Sequence, residues 1–331
     1  MSAPIVGTEE HFLTDEVTAA WARLDPRWQD GMNAGPGDDD LGRRLRDLGD
    51  ERLAAMDAAG VDTQVVSLTS PGLQNLDAPD ASALQVVVND RLAGAIQAHP
   101  SRLQAFATLA TPAPEDAATE LHRAVGTLGL DGALVFPRTR EHWLDDARFT
   151  PIFEAASELR APLYLHPQVP PPAVRDAYYG GLGETVGPGL ATFGIGWHYD
   201  TGVALLRLIF AGVLDRFPDL QIIVGHWGEV VLFYLERTAR LAGMADLPRT
   251  LSEYVRSQVL VTAGGVLSER YLRWAQEVVG SDRILSATDY PYVPIPDGGP
   301  ATLLHDAGLG DADRDAVASG NWERVRASIR R

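Results

Sequence analysis

Apolar positions in this chain gather in short dense runs, and the stretches between them carry apolar residues at helical spacing. Strands are predicted at 4–9, 62–68, 104–109, 131–136, 162–166, 220–225, 258–263 and 283–288. Helices are predicted at 84–98, 115–128, 149–159, 200–215, 228–242, 267–279 and 312–328. Alternation of the two element types argues for a parallel sheet covered by helices, an α/β fold. Eight strands is the number of a (β/α)8 (TIM) barrel, and 331 residues hold one such barrel with insertions as a single domain over 1–331.

Three segments interrupt the alternation. Residues 12–60 follow the first strand and contain an exposed turn, Gly35-Pro36-Gly37-Asp38-Asp39-Asp40, then a helix-like stretch Leu41–Ala59. This is expected as a helical insertion over part of the barrel rim. Residues 167–199 are rich in Pro and Gly and too long for an ordinary connection, so a pocket-shaping loop after the fifth strand is expected. Residues 290–300 hold Tyr290-Pro291-Tyr292 and Pro294-Ile295-Pro296.

Four of the predicted strands end on residues that ligate metals. Glu9 and His11 close the first, His166 the fifth, His226 the sixth and Asp289 the eighth. Chemistry in a parallel barrel sits at the C-terminal ends of its strands, so these side chains are expected to meet on one rim. Glu9 and His11 are two apart and share a strand face, which leaves Glu10 pointing the other way as a structural acid. A single histidine at a strand end is ordinarily just a satisfied polar group; four such endings together are a different matter. Imidazoles with one or two carboxylates suit a divalent cation such as Zn²⁺, Mn²⁺ or Fe²⁺.

Composition narrows the chemistry further. Net charge is −17, which opposes nucleic-acid partners. All 28 basic residues are arginine. Without lysine there is no Schiff base, no Walker-type phosphate loop and no carboxylated-lysine bridge between metals. The absence of cysteine removes disulfides and thiolate ligands. No apolar run approaches a membrane span, and the N-terminus lacks a secretion-signal pattern, so a cytoplasmic protein with a small-molecule substrate and no membrane partner is expected.

Glu-Glu-His-Phe at 9–12, Tyr-Leu-His-Pro at 164–167, Gly-His-Trp-Gly-Glu at 225–229 and Thr-Asp-Tyr-Pro at 288–291 resemble the metal-dependent decarboxylase branch of the amidohydrolase superfamily, which includes aminocarboxymuconate semialdehyde and resorcylate decarboxylases. The resemblance implies Glu9, His11, His166 and Asp289 as ligands of one divalent metal, with His226 as acid/base or further ligand. It implies non-oxidative decarboxylation of a small aromatic or unsaturated acid, Asp289 carrying the proton with His226 assisting. A homodimer or homotetramer is implied as well.

The sequence departs from the branch at Phe136-Pro137, Gln168 and Trp197-His198-Tyr199-Asp200. His198, Phe136, Trp197, Tyr290, Tyr292 and Arg138 are therefore the expected substrate contacts. His198 is open to three readings: a cap on a helix starting near Asp200, a substrate contact, or part of a second metal site with His226. Arg140 and Arg175 are further carboxylate clamps in prospect, and His142 is expected on the reactive side. Two other activities fit the same ligands: a mono- or dinuclear non-haem iron monooxygenase acting on a bulky apolar substrate, and a metal-dependent hydrolase.

Overall fold

The computed structural model describes residues 3–29, 37, 39–295 and 298–331. Gly35, Pro36 and Asp38 of the 35–40 turn lie outside the described residues. The strands are β1 (Val6–Phe12), β2 (Thr63–Leu68), β3 (Leu103–Ala105), β4 (Ala107–Thr108), β5 (Ala133–Val135), β6 (Arg138–Thr139), β7 (His142–Trp143), β8 (Leu163–Leu165), β9 (Ile222–Val224), β10 (Val259–Thr262) and β11 (Ile284–Leu285). β3 and β4 are two halves of one predicted strand, separated at Phe106. β6 and β7 form a small antiparallel hairpin that the hydrophobic pattern does not reveal.

Every other pairing is parallel. β1, β2 and β3 pair in order, and β4, β5, β8, β9, β10 and β11 pair in order. Phe106 N–H donates to Val66 O at 3.0 Å, so the two groups join there. The last strand also returns to the first. Thr8 N–H donates to Ser286 O (2.9 Å), Asp289 N–H to Glu9 O (2.9 Å) and His11 N–H to Tyr290 O (2.7 Å).

One buried cluster takes an apolar side chain from each strand position: Val6, Val65, Phe106, Leu134, Tyr164, Ile223, Leu260 and Leu285. Trp322 and Val325 of the C-terminal helix join it, and Trp322 Nε1–H donates to Gln104 Oε1 at 2.6 Å. The strand period of two then sets which later residues share that face. His166 comes two residues after Tyr164, Thr262 two after Leu260, and Asp289 four after Leu285. β1 breaks that count, because its register shifts between Gly7 and Glu10. An irregularity of this kind re-aims the side chains beyond it. It brings Glu9 and His11, an odd number of residues after Val6, to the Tyr164–Thr262 side.

The predicted insertion is helical but divided into Asp15–Trp21, Asp40–Arg46 and Asp50–Ala59. Asp39 caps the second of these through Gly42 N–H at 2.8 Å. The 167–199 segment departs more from expectation. It folds into helical pieces at Pro172–Val174, Arg175–Tyr179, Gly183–Gly189 and Leu190–Gly194, and the long helix Gly196–Phe210 begins four residues before Asp200. Proline at a helix's first turn is compatible with helix, which composition alone disguises. Among the described residues no helix is long and apolar enough to cross a membrane.

Candidate metal centre

Glu9, His11 and His166 each bring a donor atom within 4.8 Å of the others. His166 Nε2 lies 3.6 Å from Glu9 Oε1, and His11 Nε2 lies 3.1 Å from Asp289 Oδ1. His226 Nε2 lies 3.9 Å from Glu9 Oε1. The five predicted ligands thus converge from four strand ends. Their near approaches are not hydrogen bonds: Glu9 Oε1 and both ring nitrogens of His11 are buried without a hydrogen-bond partner among the described residues. Orphaned donors and acceptors aimed at one another are what a removable cation leaves behind. The outer contacts, by contrast, are complete. Thr262 Oγ1 donates to Glu9 Oε2 (2.8 Å), and His166 Nδ1–H donates to Pro167 O (2.9 Å), which leaves the Nε2 lone pair facing inward. Gly264 permits the approach: at φ +49°, its Cβ would meet His226 N at 2.6 Å and Glu9 Oε2 at 3.0 Å.

Burial holds His11 and His166 at about 4, against the pull of Glu9, so both rings are neutral at pH 7. Neutral imidazole is the metal-binding form. Burial also pushes the Asp289 carboxyl up, opposed by His226 and His166.

A second cluster adjoins the first. Glu229, fully buried, accepts from His226 Nδ1–H at 2.6 Å through one oxygen and from His198 Nδ1–H at 2.8 Å through the other. Burial disfavours charge on both partners, but the ion pair outweighs it. Glu229 falls to about 2 and His226 rises to about 10. His226, Trp227, Gly228, Glu229 and Val230 all carry positive φ, between +47° and +86°. Left-handed backbone costs about 1–2 kcal/mol at a residue with a Cβ. Such strain concentrates where function requires a special side-chain direction; Asp289, at φ +59°, is another case.

His198 is therefore neither a cap nor a surface residue: it lies inside the Gly196–Phe210 helix and reaches the buried acid. Glu229 is the site residue to which sequence reasoning gave no role, although its i+3 spacing from His226 was visible in Gly-His-Trp-Gly-Glu. The Phe136 ring lies 5.8 Å from that of His166, and the Tyr292 ring 5.6 Å from that of His11, so both border the centre. Trp197 Nε1 has no hydrogen-bond partner among the described residues. Tyr290 instead lies under the Arg52 guanidinium, 4.9 Å from its ring, on the side of Glu10. Arg138 is not a free clamp: it pairs with buried Asp200 at 2.5 Å and donates to Val169 O. Arg140 pairs with Asp77, and exposed His142 lies 3.9 Å from Asp146.

Comparison with known proteins places this geometry. Residues 11–325 match the amidohydrolase family profile. A gamma-resorcylate decarboxylase of Polaromonas sp. is 32% identical over 97% of both chains. The decarboxylase orsB of Emericella nidulans is 35% identical, over 88% of this chain and 87% of its own. The crystal structure of 5-carboxyvanillate decarboxylase from Novosphingobium aromaticivorans, complexed with manganese and 4-hydroxy-3-methoxy-5-nitrobenzoic acid, superposes with a TM-score of 0.89 at 32% identity, covering 98% of this chain and 96% of that one. With the profile spanning nearly the whole sequence and decarboxylases aligning end to end, the chain belongs to the amidohydrolase family, in its metal-dependent decarboxylase branch.

Proposed function

We propose that the protein is a metal-dependent carboxy-lyase that removes CO2 from a small aromatic acid. One observation carries the reading: buried donor atoms of Glu9 and His11 lack hydrogen-bond partners and face His166 and Asp289, in a chain 32% identical to a gamma-resorcylate decarboxylase. Glu9, His11, His166 and Asp289 would hold the cation, with His226 beside them. Charge balance favours one ion: a divalent cation offsets Glu9 and Asp289, and one proton on His226 offsets Glu229. The donor set suits Zn²⁺, Mn²⁺ or Fe²⁺, and the N. aromaticivorans relative is complexed with manganese. When bound, the metal supplies positive charge that orients the substrate carboxylate and its neighbouring oxygen.

The chain's own groups manage the proton. His226, held charged by Glu229, passes its proton to Asp289, whose carboxyl is raised by burial, and Asp289 delivers it to the ring carbon bearing the carboxylate. The C–C bond then breaks, its electron pair restores the aromatic ring, and CO2 leaves. His226 regains a proton from solvent for the next turnover. Phe136 and Tyr292 exclude water from one side of the ring.

The eight strand positions and the return contacts from 286–290 to β1 support a closed (β/α)8 barrel and a single domain. Exposed Tyr199, Phe233, Tyr234 and Met244 on neighbouring helices support a homo-oligomer.

The test is CO2 release under nitrogen by manganese-loaded protein from 2,6-dihydroxybenzoate and 5-carboxyvanillate. Release without O2 is expected. More than one iron per chain after native purification, together with consumption of O2, would overturn the carboxy-lyase reading in favour of the monooxygenase.

A further inference from the structure

The loop that leaves β2 carries buried polar atoms without a hydrogen-bond partner among the described residues, although Asn75 Nδ2–H donates to Trp28 O at 3.0 Å. Ser70, Gln74 and Asn75 are all at least nine-tenths buried. Ser70 Oγ, both amide atoms of Gln74 and Asn75 Oδ1 have no hydrogen-bond partner among the described residues. Leaving a buried polar group unpaired is destabilising, so a loop with several is poorly explained by folding alone.

The position of the loop says what it faces. Thr69 Oγ1 is hydrogen-bonded to Tyr292 OH at 2.6 Å, and the Tyr292 ring lies against His11. Further along, a Cβ on Gly72 would lie 2.4 Å from the Phe136 ring and 2.8 Å from Gln74 Oε1, so ring and amide both crowd onto that glycine. The Phe136 ring in turn lies against His166. The loop therefore runs from the His11 side of the centre to the His166 side. Trp21 pins it from behind, its Nε1–H donating to Gly72 O at 2.7 Å. A fixed loop with an unpaired amide beside the pocket's aromatic wall is organised for a ligand.

We infer that Gln74 is a specificity-determining residue that hydrogen-bonds a polar ring substituent of the substrate other than the oxygen oriented together with the carboxylate. The inference rests on the carboxy-lyase reading for the identity of the ligand, but not for the state of the amide. An amide that both donates and accepts fits a phenol hydroxyl, which does the same.

Two variants, Gln74→Leu and Gln74→Met, keep the volume and remove the hydrogen-bonding groups. Without ligand, both should melt roughly 2–4 °C above the parent protein, because an unpaired polar group is replaced by an apolar one. With manganese bound, kcat/KM for 2,6-dihydroxybenzoate should fall roughly 10- to 100-fold relative to that for 2-hydroxybenzoate, mainly through KM. A lower melting point in both variants would mean that the amide holds the fold together, and would overturn the inference. So would an equal loss on the two substrates. If the parent protein decarboxylates neither acid, the carboxy-lyase reading fails, while the ligand-free melting comparison still decides whether Gln74 is unpaired.

Discussion

At the scale of single residues, the proposed roles divide into binding and moving a proton. Asp289 would serve both: it approaches His11 Nε2 at 3.1 Å and has a carboxyl raised by burial. Asp289→Asn keeps the shape and removes the exchangeable proton. It should lower kcat roughly 10²- to 10⁴-fold with an unchanged circular dichroism spectrum, measured as CO2 release. Unaltered turnover would take Asp289 out of the chemistry. His198 acts one step removed, through Glu229. His198→Ala leaves one oxygen of a buried carboxylate without its donor. It should destabilise the protein by about 1–3 kcal/mol in urea and lower kcat more than it raises KM. Loss of a metal equivalent in this variant would instead identify His198 as a ligand.

Among the elements, β1 and the segment after β11 carry the site, and Glu10 fastens them together. It accepts from Thr288 N–H (3.0 Å), Thr288 Oγ1 (2.5 Å), Tyr290 N–H (3.3 Å) and Gln64 Nε2 (3.2 Å). Glu10→Ala should cost about 1–3 kcal/mol in urea denaturation, because it strands the donors of Thr288, Tyr290 and Gln64. The metal ligands on either side would lose their spacing with it. Much of this was legible in the chain: short apolar runs ending in Glu9, His11, His166, His226 and Asp289 marked strand ends whose side chains the structure brings together. The role of Glu10 came from alternation along a strand. Features that period two does not encode escaped. The shift in β1 between Gly7 and Glu10 is set by pairing with β2. The helices of 172–194 form in a Pro- and Gly-rich stretch whose composition reads as loop. The bond from His198 to Glu229 joins residues 31 apart through tertiary packing.

For the molecule as a whole, the buried ionisable groups set opposing limits on stability. His11 and His166, lowered to about 4, favour folding fully above their ordinary value of 6.5 and lose that contribution as pH falls toward 4. Glu229, lowered to about 2, adds a loss as pH drops below 4.5. His226, raised to about 10, contributes below 6.5 and loses its contribution as pH climbs through 10. Burial raises Glu10 to about 8 despite its donors, so stability also declines between 4.5 and 8 on its account. The metal-stripped protein should accordingly melt highest at roughly pH 6–7 and lower on both sides, as calorimetry across pH would record. A flat profile would mean that these groups are solvated. Restoring the metal should raise stability by about 4 kcal/mol once free ion exceeds its Kd a thousandfold.

The spacing of the centre along the polypeptide has a consequence for biogenesis. Glu9 leaves the ribosome 280 residues ahead of Asp289, by the difference of their numbers. A truncated or still-growing chain presents at most part of the cation's coordination shell. Loading of the ion is then a late step of maturation, and full occupancy reports that synthesis has run through the final strand.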